Sequence, residues 1–356
     1  MEVKIFNISG KLNNIAKSTA ILFVFAFSAI NAVSQSGGGG YTGAFMLRES
    51  GARAIALNGA YTAIANDPTA LFYNPAGLSD LSDRPNFSSM FSILQNNRTQ
   101  SMLCWGQKVA DNLGVGFGIN SFTSGSFSSR DIRGNQIKNI SALNYSINGS
   151  VAYSMEFASF GATAKYFANT LQGASTTGDG FAVDLGAKFN ILNMFSFGLA
   201  LQNIGSYSSW NTKTEEENYL PYTIRAGVAM EFALNANEYS SRSTVTGEEE
   251  TSVQPATRYV LVDLDAKFIQ FQKTPTLSVG VEVIPHEIIA FRAGLDLWGE
   301  DMGANKLLPM NNWGAGVSIR PRIPELPFIA HIDYAIGSDY LADKKIFHSI
   351  SLHFEL

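Results

Sequence analysis

A single cysteine, Cys104, stands in the chain of 356 residues. That excludes a disulfide framework and a thiolate metal cluster, and leaves Cys104 as a packed small residue inside a strand-like run. Charge is also scarce: Asp, Glu, Lys and Arg make up 15% of the chain, where a soluble domain carries roughly 25%. The histidines number four, and the i,i+5 spacing of His348 and His353 sets those two on opposite faces of a strand, unable to share one ion from there. Beyond the N-terminal region no stretch approaches 18 continuous apolar residues, which excludes helical membrane spans. Also missing are a Gly-x-Ser-x-Gly elbow, a His-Glu-x-x-His helix and a phosphate-cradling glycine loop; the run Gly37 to Gly40 has neither a strand before it nor a lysine after it. These absences argue against an enzyme, and no cofactor or metal site is expected.

The chain does contain 32 glycines, 25 phenylalanines and 13 tyrosines. Lys4, Lys11 and Lys17 precede an apolar run from Ala20 to Ile30, too short for a comfortable span, and Ala32-Val33-Ser34 supplies small residues for cleavage before Gln35. Residues 1–34 therefore read as a secretory signal peptide, with an uncleaved anchor as the alternative. Without them the chain keeps 22 basic and 29 acidic residues, a balance that gives no support for nucleic acid as a partner. An exported chain that is poor in charge, rich in aromatics and free of a hydrophobic 20-mer fits a transmembrane β-barrel, whose lipid face uses alternate residues only.

From Asn86 onward the apolar period is two. Strands are expected at 86–95, 98–109, 112–123, 144–157, 159–170, 178–190, 194–203, 221–232, 257–271, 275–285, 287–298, 312–321, 326–336 and 346–356. In one of them Phe181, Val183, Leu185, Ala187 and Phe189 oppose Asp184, Gly186 and Lys188; in the last, Ile350 and Leu352 oppose Ser349 and Ser351. Many of these runs match the 9 to 11 residues of a tilted membrane strand. Short links alternate with longer ones at 124–143, 171–177, 204–220, 299–311 and 337–345, as periplasmic turns alternate with external loops. The turn near Gln272 to Thr274 and the acidic excursion 233–256 break that pattern. An even number of strands lets the sheet close and leaves no edge in hydrocarbon. The competing architecture is a soluble sandwich or propeller, but no blade-length repeat is present. The expected fold is thus all-β: a 14-stranded antiparallel transmembrane barrel, integral to the outer membrane, over residues 86–356.

Ahead of the strands, Ala44 to Ala65 suggests one or two short helices running into a dense knot of turn formers. Asp67-Pro68 and Asn74-Pro75 are turn signals, because Asp and Asn bond backbone amides while Pro presets φ. Phe72 and Tyr73 lie between them, giving the knot an apolar inner face. Asp184, Asp263, Asp265, Glu282, Asp296 and Asp333 share polar strand faces with Lys165, Lys188, Lys267, Arg225, Arg292 and Arg320. Both signs occur in similar number, so interior ion pairs account for them; a hydrolytic carboxylate pair is the other possibility. Trp210, among polar residues of the 204–220 link, is a candidate partner contact.

The segment GARAIALNGAYTAIANDPTALFYNPAGL, Gly51 to Leu78, resembles the N-terminal signature of the PorV/PorQ family of Bacteroidetes outer-membrane proteins. That family is itself similar to the long-chain fatty acid transporter FadL, which shares the Asp turn and NPAGL. Further matches are FSFGLALQNIG from Phe195, LPYTIRAGVAM from Leu220, VGVEVIPHEIIAFRAGLDL from Val279, and the closing IDYAIG and HSISLHFEL. The resemblance implies that residues 35–85 form a leader and a small hatch in the periplasmic mouth, held by Asn66, Asp67, Pro68, Phe72, Tyr73, Asn74, Pro75 and Gly77. It also implies a role in type IX secretion. The barrel would bind the C-terminal signal domains of secreted cargo and hand them from the translocon to a sortase-like attachment complex, within outer-membrane lipid or detergent. On that reading Phe127, Trp210 and Met310, on the longest external loops, make the grip. FadL-like transport of fatty acids or other hydrophobic small molecules is the alternative.

Overall fold

The computed structural model describes residues 43–173, 176–191, 194–211, 217–235, 238–242, 249–253, 257–270, 272, 274–299, 312–321, 328–339 and 345–356. The expected signal peptide and most of the leader lie outside this set.

Fourteen antiparallel strands form one closed wall. They are β1 (Asn86–Ile93), β2 (Thr99–Ala110), β3 (Leu113–Arg130), β4 (Gln136–Ser154), β5 (Ala158–Gln172), β6 (Thr176–Ile191), β7 (Phe195–Trp210), β8 (Thr223–Ala233), β9 (Tyr259–Ile269), β10 (Thr276–His286), β11 (Ile289–Trp298), β12 (Trp313–Ile319), β13 (Ile329–Asp339) and β14 (Lys345–Glu355). Each pairs with its neighbours in sequence, and the ring closes where β1 meets β14, with Asn86 opposite Glu355 and Ile93 opposite His348. Closure pairs the backbone that hydrocarbon cannot solvate. All fourteen expected strands are present.

Side-chain alternation separates lipid from lumen. On β6, Phe181, Val183 and Leu185 are exposed while Asp184 and Lys188 are buried; on β14, Ile350 and Leu352 are exposed and Ser349 and Ser351 buried. An apolar exterior around a closed wall is that of an integral outer-membrane protein.

The expected loop boundaries need correction. The link expected at 124–143 is mostly strand, since β3 and β4 stay paired as far as Arg130 opposite Gln136. Ser, Asn, Arg and Lys there place polar residues on both faces, which erases alternation without breaking the ladder. Likewise β7 runs to Trp210, extended by a two-residue strand at Glu217–Asn218 that pairs with Ser208 and Ser209. The 233–256 excursion carries a small hairpin of Glu238–Arg242 and Glu249–Val253.

Residues 43–85 pack inside the wall as a plug. Its elements are short: 3-10 turns at Ala44–Leu47, Pro68–Phe72 and Pro75–Asp80, and helix α1 at Ala52–Ala56. Leu57, Tyr61, Leu71 and Leu78 are completely buried. The plug leaves the lumen at the end bearing the short turns 111–112, 155–157 and 287–288, where Ser82 O accepts from Lys108 N at 2.9 Å and Pro85 O from Leu356 N at 3.0 Å. The wall comes close because many inward positions are glycine. A Cβ on Gly161 would strike the backbone of Pro75 and Ala76, and one on Gly314 the carbonyl of Ile55.

Candidate functional site

The lumen has three layers, set by which plug segment meets which end of the strands. At the end carrying the long connections, Phe45 and Met46 pack with Phe122, Phe167 and Ala182 in an apolar cluster. Beside it Arg48 donates from Nη1 to Asp339 at 3.1 Å, and Arg98 reaches the other oxygen of Asp339 at 2.7 Å. The Arg48 guanidinium lies 5.8 Å from the ring centres of both Phe122 and Phe347, a geometry in which ring faces attract the cation.

The middle layer is where plug backbone meets wall side chains. Asp265 Oδ2 accepts from Tyr61 N at 2.9 Å and Thr62 N at 2.8 Å, and Gln202 Nε2 donates to Phe72 O at 2.8 Å. Nearby β7 takes two extra residues relative to β6: Phe181 faces Tyr207, Val183 faces Ile204 and Leu185 faces Leu201. At this double bulge Asn203 has φ 61°; its Oδ1 accepts from Lys165 Nζ at 3.0 Å and its N donates to Asp184 at 2.8 Å, while Lys165 and Asp184 pair at 2.6 Å. The bulge thus turns an amide into the lumen to brace β5, β6 and β7.

The third layer is a polar cavity of about 330 Å³ at the short-turn end, lined among others by Arg53, Asp67, Arg292, Arg320, His331 and His353. Behind it Glu282, fully buried, accepts from Arg53 Nε at 2.9 Å and from Arg292, whose Nη1 also reaches Asp333 at 2.8 Å. A buried carboxylate shared by two guanidiniums is satisfied only while both remain. Burial would raise the Asp67 carboxyl, but Arg53, His353 and hydrogen bonds from Thr69 and Tyr61 hold it below the ordinary carboxylate value.

The singled-out plug residues fall into two groups. Asn74 and Pro75 meet the wall: Asn74 Nδ2 donates to Ala187 O and Thr62 O, both at 3.0 Å, and Pro75 fills the space above Gly161 and Gly186. Phe72 reaches Gly118 on β3, and Gly77 sits against the Ala65 carbonyl, where any side chain would collide. Asn66, Asp67 and Pro68 act within the plug, and Tyr73 acts on both sides, its carbonyl accepting from Gln202 Nε2 of the wall at 3.1 Å. Asp67 caps the turn beginning at Pro68 by accepting from Thr69 N at 2.8 Å and faces Arg53 at 3.6 Å; Asn66 Oδ1 accepts from Arg53 Nη1 at 2.6 Å. Tyr73 OH bonds the backbone of Ser50, and its ring packs edge-on against Tyr61 at 5.1 Å.

The three loop residues do not assemble. Phe127 lies on β3 opposite Ile140, half-exposed. Trp210 ends β7 opposite Gly178, its indole occupying the space where a Gly178 Cβ would stand. Met310 lies outside the described residues. Reading the sequence missed Arg48, Glu49, Arg53 and Asp80, the plug's contributions to ion pairs with Asp339, Lys267, Glu282 and Lys188. It also missed the pairing of His331 with His353, whose rings stack at 5.5 Å; counting register back from the β13–β14 connection would have found it.

No protein-family profile matches the chain, and no curated protein sequence matches it. Solved structures do. The Pseudomonas putida toluene transporter TodX matches with TM-score 0.54 at 12% identity over 86% of this chain and 98% of its own. The Ralstonia pickettii toluene transporter TbuX matches with TM-score 0.51 at 13% identity, over 87% and 98%. A Pseudomonas aeruginosa FadL homologue matches with TM-score 0.51 at 9% identity, over 89% and 99%. At such identities the likeness is one of fold.

These matches correct the sequence reading. The barrel shares its fold with these solved structures, and the PorV/PorQ assignment, the place in type IX secretion, the Bacteroidetes attribution and the cargo, translocon and sortase-like partners are overturned. The proteins matched are described as transporters and channels of small molecules. The physical source of the error is visible in the plug: the Asn-Pro-Ala-Gly segment encodes a capped turn packed on wall glycines, a property of the fold and not of a cargo. The expectation of a non-enzymatic barrel agrees with the same matches.

Proposed function

We propose that the protein is an outer-membrane channel for hydrophobic small molecules, with residues 43–85 serving as a hatch that blocks its periplasmic mouth. The observation that carries this reading is the apolar cluster of Phe45, Met46, Phe122, Phe167 and Ala182 at the long-connection end of the lumen, opposite the polar cavity at the short-turn end. Apolar rings facing a lumen form a place where a hydrocarbon leaves water. The long-connection end is taken as external because barrels of this class carry their long loops outside. The solved structures of like fold support the substrate class, since two are named as toluene transporters.

Uptake of labelled toluene by cells of a Gram-negative host tests the reading. Cells carrying the chain should take it up several-fold faster than cells with empty vector, and Phe167→Asp should abolish the difference while the barrel still shows heat-modifiable migration on gels. Equal uptake with and without the protein, or full uptake by the variant, would overturn it.

A further inference from the structure

The cavity at the short-turn end does not suit a hydrocarbon, and its wall contains a row of hydrogen-bond donors. The β13–β14 register sets His331 opposite His353, and the β1–β14 register sets His353 opposite Ser88. The β12–β13 ladder ends with Ile319 opposite Ile332, so its next step places Arg320 beside His331. Arg320, His331, His353 and Ser88 thus cross four adjacent strands in one line, at roughly 4.8 Å per strand, and all four line the cavity.

Most of this row is uncommitted. The Arg320 side chain makes one long hydrogen bond, from Nε to Ser318 Oγ at 3.4 Å, and among the described residues has no ion pair. His331 stacks on His353 and has no hydrogen-bond partner among the described residues. The His353 ring bonds Ser88 Oγ through Nδ1 at 2.6 Å, leaving Nε2. The carboxylates lining the cavity are otherwise engaged: Asp67 with Arg53, Asp333 with Arg292 and Asp80 with Lys188. Glu355 is the exception, two residues from His353 at the end of β14 and half-exposed.

We infer that this cavity is a binding site for a small molecule bearing a carboxylate or phosphate group, received by the Arg320 guanidinium and the imidazoles of His331 and His353. A guanidinium offers a planar pair of donors matched to such an oxyanion, and partial enclosure strengthens the attraction over that in bulk water. The volume of about 330 Å³ admits a small organic anion. The proposal goes beyond hydrocarbon transport and stands on different residues and a different readout.

Isothermal titration of the full chain in an uncharged detergent at low salt tests it, with inorganic phosphate, acetate and octanoate as probes. Saturable binding of at least one probe is expected, weakened about tenfold or more by Arg320→Gln and also reduced by His331→Ala, each checked for heat-modifiable migration. Octanoate binding tenfold tighter than acetate would mark the ligand as an amphiphile's head group, and equal affinities would mark a free anion. Absence of saturable binding by all three probes, or Arg320→Gln binding like the wild type, would overturn the proposal.

Discussion

Wall and plug meet the same demand, that buried polar groups find partners, by unlike means. The wall's backbone is satisfied within the wall: each strand's amides and carbonyls are taken by two neighbours around a closed ring, which leaves its inward side chains to pair with one another and with the plug. The plug has no element longer than six residues, so side chains finish what its backbone leaves open. Asp67 and Asn74 cap two turns from within, while Asp265 and Gln202 reach in from the wall. A change on the wall's lipid face should therefore be absorbed, whereas the same change on its lumen face should be felt through the plug.

The largest effect is expected at Glu282. Glu282→Ala removes the carboxylate that Arg53 and Arg292 share, leaving buried positive charge without its main partner, a loss of about 3–5 kcal/mol. Urea unfolding in lipid vesicles should show the lower stability, and limited proteolysis should cut the plug faster. A midpoint within error of the wild type would mean that water, and not Glu282, balances these cations.

A pair of glycines on the wall sharpens the comparison. A Cβ on Gly149 meets nothing within 4 Å, whereas one on Gly314 falls on the Ile55 carbonyl. Gly149→Ala should be neutral, and Gly314→Ala should lose about 1–3 kcal/mol through forced displacement of the plug. Planar-bilayer conductance should show transient openings for Gly314→Ala only. If both variants conduct alike, the plug does not rest on the wall glycines.

The contrast also explains what could be read from the sequence. Hydrocarbon on one face and plug or water on the other impose a period of two, so all fourteen strands could be placed from runs such as Phe181 to Phe189. Strand ends were not legible where both faces become polar, as at Ser126 to Arg130. Turn starts at Asp67-Pro68 and Asn74-Pro75 could be read because their chemistry is local. The partner of Arg53 could not be, since Glu282 lies 229 residues away and any inward acid would match it as well on sequence alone. The apolar layer around Phe167 was hidden for a related reason: a lumen-facing Phe breaks alternation just as an irregular strand would.

The smallest effect concerns acid. Asp67 holds Arg53, Tyr61 and Thr69 together within the plug, and its carboxyl sits below the ordinary value despite burial. A group bound more tightly when ionised contributes stability above its unfolded value, near 3.9, and loses it as the pH falls through its lower folded value. Plug protection from protease should therefore hold from neutral pH to about 4 and weaken below that. Asp67→Asn should lower protection at neutral pH by about 1 kcal/mol, since a neutral amide still caps the turn at Thr69 but no longer pairs with Arg53. It should also flatten the acid-dependent part of the curve. An unchanged acid profile in the variant would assign that dependence to the carboxylates of the wall, and the plug would then be held in acid by the groups around it and not by its own cap.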